Sequence, residues 1–493
     1  MQKSFSTVLI ANRGEIAMRI VRSVQALGMR AVVVFHAADR DSPGVKYADQ
    51  SIEIRGVTPV AAYLDAKQIL AAALECSAGA VHPGYGFLSE NADFARACDE
   101  VGIVFIGPTP EAIDLMGDKV RARAFVQKQG FPVAPSAIEE EDPATFLQRA
   151  VQVGFPLVIK PAAGGGGKGM RVVRAAEHLE SEILRARSEG QRYFGDGRLY
   201  VERYIENPRH IEVQILGDIH GNLVHLYERE CSVQRRFQKI VEEAPSPALT
   251  DKRRHEICET AAEIARSAGY RNAGTVEFIY GTNDEFYFLE MNTRLQVEHP
   301  VTEQLLGVDL VAEQLRISLG ERLPFKQSDL KPRGHAIEFR IYAEDAAAGY
   351  LPTTGPVLLL REPTGEGVRV DSGINAGQNI TAAFDPMLAK LIITGSDRKE
   401  AMARANEALR DYVLLGFKTN LAFLRRLLNH PVFVSAEVHT GFLDAHPEVA
   451  AEPALRLETL DTLLAAAAIL SRPVKDSADA VPELHAAIGH WRN

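Results

Sequence analysis

At 493 residues the chain is longer than one hydrophobic core ordinarily supports, so roughly two to four domains are expected. Hydrophobic residues at 46% and charged residues at 24% describe an ordinary globular composition. A net charge of −10 argues against broad nucleic-acid or anionic-membrane binding, and no 18-residue apolar run is present to span a bilayer. A polyanionic ligand would have to meet a local cluster of Lys and Arg. The start, Met1 to Ser4, runs straight into a strand-like stretch without a signal-peptide pattern. The cysteines Cys76, Cys98, Cys231 and Cys258 form no CxxC pair. A reduced, cytoplasmic setting is expected.

Thr7 to Ala11 is a short apolar strand, and Asn12-Arg13-Gly14-Glu15 opens a helix to about Leu27. Ala31 to Phe35 is the next strand. This alternation predicts a parallel, doubly wound sheet in a first domain over residues 1–115. The first turn offers a glycine and helix N-terminal amides to an anion but lacks GxGxxG, so a dinucleotide site is not expected. The Gly/Pro-rich loop AGAVHPGYGFLSEN brings His82 and Tyr85 forward as cleft residues, with packing an equal alternative.

A second domain is expected over residues 116–330. Lys119 stands at its start. In FPLVIKPAAGGGGKGMR, a strand ends in Lys160 and is followed by Gly164 to Gly167, Lys168 and Gly169. Glycines let backbone N–H groups approach phosphate closely, and lysines supply charge. The spacing is not that of a P-loop, and the order of strand, lysine and glycines predicts a mobile lid over a nucleotide. Leu199 to Ile205 is read as a strand whose exposed edge could bind adenine, and His210 to Gln214 as a strand with one polar face. In RECSVQRRFQKIVEE, Arg235, Arg236 and Lys239 form a basic cluster expected to present an anion-binding face.

The stretch TVEFIYGTNDEFYFLEMNTRLQVEHP reads as a hairpin. With Asn283-Asp284 as a two-residue loop, Glu277 faces Glu290 across the strands, about 5 Å apart at Cβ. Such like charges repel. A divalent cation between them removes the conflict, and oxygen ligands suit Mg²⁺ or Mn²⁺. If the strand continues, Glu290, Asn292, Arg294, Gln296 and Glu298 share one face, predicting a combined metal and anion site.

A β-rich third domain is expected over residues 331–446, with Arg340 in the strand GHAIEFRIYAED and a conspicuous FDPMLAK ending in Lys390. Helices are predicted near residues 400–412, 419–429 and 459–471. Residues 447–493 read as a helical, then polar, tail.

IANRGEIA, HPGYGFLSEN, MGDK, GGGGKGMR, ENPRHIE, EMNTRLQVEHPVTE and RIYAED together resemble the biotin carboxylase family of the ATP-grasp superfamily, in order, over roughly residues 5–445. EMNTRLQVEHPVTE is the most specific of these. The fold implied is α/β: a Rossmann-like N-terminal domain, an ATP-grasp domain with a mobile glycine lid, and a β-rich α+β C-terminal domain. The chemistry implied is ATP-dependent carboxylation of biotin by bicarbonate through carboxyphosphate.

Carried over by the resemblance, Lys119, Lys160, Gly165, Gly166, Gly167, Met170, His210, Gln234 and Ile279 contact ATP, with Glu202, Arg203 and Ile205 at adenine. Glu277, Glu290 and Asn292 hold Mg²⁺ or Mn²⁺. Lys239, Arg294, Gln296 and Val297 are similar to bicarbonate contacts, and Glu298 to the base that deprotonates bicarbonate. Arg294 and Arg340 resemble the arginines that steady carboxyphosphate and the enolate of biotin. Phe237 departs from the family pattern, which has His in QRRHQK. RIYAED and DPMLAK look more like the α chains of acyl-CoA carboxylases than like the acetyl-CoA carboxylase subunit.

Two other readings compete: another ATP-grasp ligase acting on a different carboxylate, or a catalytically weak nucleotide-binding subunit. The expected partners are a biotin carrier domain and a carboxyltransferase subunit, with a homo-oligomer admitted. None of the eight methionines is followed by Lys, so the chain is not expected to carry its own biotin. A separate protein or a missing C-terminal segment would supply it. The ending, with Trp491, resembles the lead into a further domain of longer α chains.

Overall fold

The computed structural model describes residues 4–139, 142, 144–162, 169–452 and 457–470. Five parallel strands, Thr7–Ile10 (β1), Arg30–Phe35 (β2), Gln50–Glu53 (β3), Ala80–His82 (β4) and Val104–Phe105 (β5), form a sheet in the order β3-β2-β1-β4-β5. β2 is continuously apolar after Arg30 and buries those five residues, as a strand covered on both faces must. The helix Gly14–Ala26 buries Ile16, Ala17, Ile20, Val21 and Val24, one stripe at helical spacing. Gly14 opens it at φ +64, a left-handed conformation that suits glycine.

A second sheet orders Ser136–Ile138 (β6), Leu199–Arg203 (β9), Leu157–Pro161 (β7) and Arg171–Val173 (β8) as β6-β9-β7-β8. β9 is therefore internal, not the exposed edge expected for Leu199 to Ile205: β6 and β7 both pair with it. The expected lid residues Gly165, Gly166 and Gly167 lie outside the described residues, as does the tail beyond residue 470.

The third sheet carries the chemistry. Its strands are Arg209–Gly217 (β10), Leu223–Arg235 (β11), Gln238–Ala244 (β12), Asn272–Tyr280 (β13), Phe286–Asn292 (β14), His335–Tyr342 (β15), Val368–Ser372 and Met387–Gly395. The order is β14-β13-β10-β11-β12-β15, then Met387–Gly395, then Val368–Ser372. Antiparallel pairing of β12 with β15 carries one sheet across the boundary expected at residue 330. Beneath β15 and Met387–Gly395, Ile337, Phe339, Ile341, Leu391 and Ile393 join Phe423, Leu424 and Phe442 in the third domain's core.

The hairpin differs from expectation in an instructive way. The Gly281 N–H donates to the Glu285 carbonyl at 2.8 Å, so the loop is the three residues Thr282 to Asp284, with Asp284 at φ 64. That turn alone would set Glu277 against Leu289. A bulge leaves Leu289 unpaired between Phe278↔Phe288 and Glu277↔Glu290, and the expected facing pair is restored. The strand also stops earlier than expected, at Asn292. Residues 293–298 are irregular and lead into the helix His299–Leu306, which Pro300 can open because it lacks an N–H.

The predicted C-terminal helices are Arg398–Asp411 and Leu421–Leu428. The helix Leu457–Leu470 belongs to a second unit, residues 451–493. No helix among the described residues is long and apolar enough to cross a membrane.

Candidate active site

The register of three neighbouring strands places three carboxylates in one row: Glu212 on β10 pairs with Glu277 on β13, which pairs with Glu290 on β14. On the other side, Glu212 pairs with Arg229 of β11. Three like charges in a row demand cations. Lys239 Nζ contacts Glu212 and lies 2.8 Å from Glu277 Oε1 and 2.6 Å from Glu298 Oε1. Lys119 Nζ lies 2.6 Å from Glu290 Oε2. His210 Nε2 lies 3.0 Å from Glu277 Oε2, an ion contact rather than an aligned hydrogen bond.

Burial disfavours the charges of Glu277, Lys239 and His210, and their neighbours reverse the balance. Burial alone would raise Glu277, but Lys239 and His210 hold it well below the usual carboxylate range. Burial would lower Lys239, yet Glu212, Glu277 and Glu298 keep it well above an ordinary lysine. Burial is the largest influence on His210 and would lower it, but Glu277 and Glu212 together push it up to about 9. The site is thus a lattice of fixed, ionised groups.

Glu298 is the N-cap of His299–Leu306 but makes no cap hydrogen bond with its side chain. Its carboxylate turns instead to Lys239 and to Arg340, whose Nη2 donates to Oε2 at 3.0 Å. Burial and Glu212 raise Glu298, but Lys239 and Arg340 bring it below the ordinary value. The Arg340 Nε donates to Glu242 at 2.6 Å, and burial pushes that carboxyl up to about 7 against the pull of Arg340. Arg294 donates to Glu90 at 2.8 Å and to Asn292 Oδ1 at 3.0 Å.

A cleft of ≈480 Å³ gathers most of these groups, and every described residue to which the family resemblance assigned a role lines it. Its charged lining includes Lys239, Glu298, Arg294 and Arg340. Its apolar lining includes Met170, Val172, Ile205, Ile279 and Leu289, the bulged residue. Among the lining residues, Lys160 Nζ lies 2.5 Å from Glu202 Oε2. The oxygens of Glu277, Glu290 and Asn292 are hard donors on facing strands, a set that fits Mg²⁺ or Mn²⁺.

Other expectations fail. Arg235 donates to Glu344 at 2.6 Å and stacks over Tyr350, so it is spent on structure. Arg236 and Phe237 form the two-residue loop of the β11–β12 hairpin, at φ 48 and 67. Of the basic cluster only Lys239 faces the cleft, because the turn carries the arginines away. Phe237 lines the cleft but is 56% exposed and offers no polar atom. His82 and Tyr85 do not line it: His82 is fully buried, pushed down to about 3 by burial, and accepts from the Gly84 N–H at 3.1 Å.

Sequence reasoning missed Glu212 and Arg229. Glu212 shares the parity of His210 and Gln214 and was open to inference. Arg229, fully buried, donates to Glu212 at 2.6 Å, Gln214 at 2.8 Å and Thr302 at 2.9 Å, contacts that only strand order creates. Removing one partner of a buried pair leaves an uncompensated charge, so Arg229→Met is expected to cost about 3–5 kcal/mol in denaturant melts. A loss below about 1 kcal/mol would show that Lys239 alone suffices as the counter-charge of Glu212.

Three family profiles match: "Biotin carboxylase, N-terminal domain" over residues 4–113, "Carbamoyl-phosphate synthase L chain, ATP binding domain" over 118–326, and "Biotin carboxylase C-terminal domain" over 338–445. A biotin carboxylase of Halalkalibacterium halodurans is 48% identical over 449 residues, 90% of this chain and 98% of the relative. The mitochondrial methylcrotonoyl-CoA carboxylase subunit alpha of Dictyostelium discoideum is 43% identical over 96% of this chain and 68% of its own. The biotin carboxylase domain of Hydrogenobacter thermophilus 2-oxoglutarate carboxylase, a dimer solved with MgADP, ADP and bicarbonate, matches with TM-score 0.88. It is 43% identical, and the match covers 91% of this chain and 99% of that one.

Proposed function

The chain belongs to the biotin carboxylase family, and we infer that it carboxylates carrier-bound biotin with ATP and bicarbonate, through carboxyphosphate, as the first half-reaction of an acyl-CoA carboxylase-type complex. The observation that carries this reading is Glu298 held between Lys239 and Arg340, in the same cleft as the Glu277–Glu290 pair.

On this reading the apolar lining of Met170, Ile205 and Ile279, with Glu202 and Arg203, takes the adenine. Lys119, Lys160, His210 and Gln234 follow the phosphates. Glu277, Glu290 and Asn292 would hold Mg²⁺, which would supply neutralising charge to the phosphates. Lys239, Arg294, Gln296 and the Val297 backbone hold bicarbonate. Glu298 takes the bicarbonate proton onto a carboxylate oxygen, leaving an oxyanion that attacks the γ-phosphorus; the bond to the β–γ bridging oxygen breaks, ADP leaves and carboxyphosphate forms. The Arg340 guanidinium, planar and permanently charged, steadies the enolate oxygen of biotin during transfer. Its partners are a biotin carrier domain and a carboxyltransferase.

The test is ATP hydrolysis by the purified chain with bicarbonate and free biotin varied independently. Hydrolysis should require bicarbonate and rise with biotin. Turnover indifferent to both, or supported by another carboxylate in place of bicarbonate, would refute the assignment.

A further inference from the structure

Three stretches conspicuous in the sequence, ANRGE, HPGYG and DPMLAK, place Glu15, Tyr85 and Lys390 outside the residues that line the cleft. The fold brings these three together. Lys390, fully buried on Met387–Gly395, lies 3.1 Å from Glu15 Oε1 and 3.9 Å from Asp371 Oδ2. The Tyr85 hydroxyl donates to the same Glu15 oxygen. Gly373 permits the approach, since a Cβ there would sit 2.5 Å from the Glu15 nitrogen. The ammonium is spent on one further atom: it donates to the Val297 carbonyl at 2.8 Å.

An ammonium in the interior is costly unless paired, and a charge-assisted bond is about twice as strong as a neutral one. Burial raises the Glu15 carboxyl, and Lys390 is the strongest influence opposing it. Val297 immediately precedes Glu298. The peptide joining them is planar, so a held carbonyl sets the orientation at which the chain enters Glu298. The groups doing the holding come from the first helix, the loop after β4 and the third domain.

We propose that Lys390, locked by Glu15 and Tyr85, is a positioning residue that clamps the Val297 carbonyl and so sets the reach of Glu298 towards bicarbonate. This rests on the bicarbonate reading of Glu298. The clamp touches none of the described residues assigned to the nucleotide, so its loss should separate the two substrates.

The test measures bicarbonate-dependent ATP hydrolysis and thermal stability for Lys390→Met, Glu15→Gln and the double variant. Lys390→Met should raise the bicarbonate KM and lower kcat by roughly 10–100-fold, as a displaced catalytic group does, with the ATP KM within about two-fold. Glu15→Gln, milder and near-isosteric, should raise the bicarbonate KM about three- to ten-fold. The double variant removes both charges. It should regain stability over Lys390→Met while keeping the raised bicarbonate KM. Recovery of both would make the cluster purely structural and overturn the clamp, as would folded single variants with an unchanged bicarbonate KM. Wild-type protein lacking bicarbonate dependence would remove the functional reading and the clamp with it. Variants indistinguishable from an active wild type would remove the clamp alone.

Discussion

Glu298→Gln is expected to lower bicarbonate-dependent ATP turnover by roughly 10²–10⁴-fold while ATP affinity changes by less than about two-fold. The amide has nearly the volume of the carboxylate, and its single oxygen can accept from Lys239 or from Arg340, which now use separate oxygens; the cation left over keeps its other partners, Glu212 and Glu277 for Lys239 and Glu242 for Arg340, so the lattice around it should survive. What it cannot do is take a proton. Glu298 is well placed to do so because Lys239 and Arg340 keep it ionised despite complete burial. Lys239 remains paired with Glu212 and Glu277 in the variant, which limits the structural disturbance. Steady-state turnover with bicarbonate varied, together with nucleotide binding by calorimetry, checks the expectation. Nucleotide affinity falling as far as turnover would mean that Glu298 supports the site rather than acting as its base.

Glu290→Gln is expected to raise the Mg²⁺ concentration for half-maximal ATP turnover by at least roughly 10–100-fold, since even outer partners of metal ligands carry effects of that size. Glu290 is the most accessible carboxylate of the row, with 28% of its side chain exposed against 5% for Glu277. Its partner Lys119 is itself partly exposed and can turn to solvent when the carboxylate is lost. The fold should therefore tolerate the change, unlike replacement of Glu277, which binds His210, Lys239, Asn292 and Gln296 at once. A Mg²⁺ titration of ATP hydrolysis with a parallel thermal melt separates the two effects. An unaltered Mg²⁺ requirement in folded protein would remove Glu290 from the metal set.

The hairpin shows how far local reasoning reaches. Glu277 does face Glu290, but the loop is one residue longer than read and a bulge at Leu289 compensates. Turn chemistry narrows the register, whereas bulges answer to packing on neighbouring strands. Similarly, Arg294, Gln296 and Glu298 reach the cleft although the strand ends at Asn292. The basic cluster failed for a related reason. Arg235 and Lys239 are near in sequence, yet a tight turn lies between them, and one serves Glu344 while the other serves the site.

By itself the sequence determined the order of elements, the parallel first sheet and the residue types of the site, because apolar periodicity and side-chain chemistry are local properties. Its motifs also carried the family resemblance that assigned roles to individual residues. Only the tertiary structure decided that β9 is internal, that Glu212 joins the carboxylate row, that Arg229 balances it, and that Lys390 reaches Val297. Those outcomes depend on which strands become neighbours and in what register. Neighbours are chosen by burial over the whole sheet, so groups as distant in sequence as Lys390 and Val297, 93 residues apart, meet only when the fold is complete.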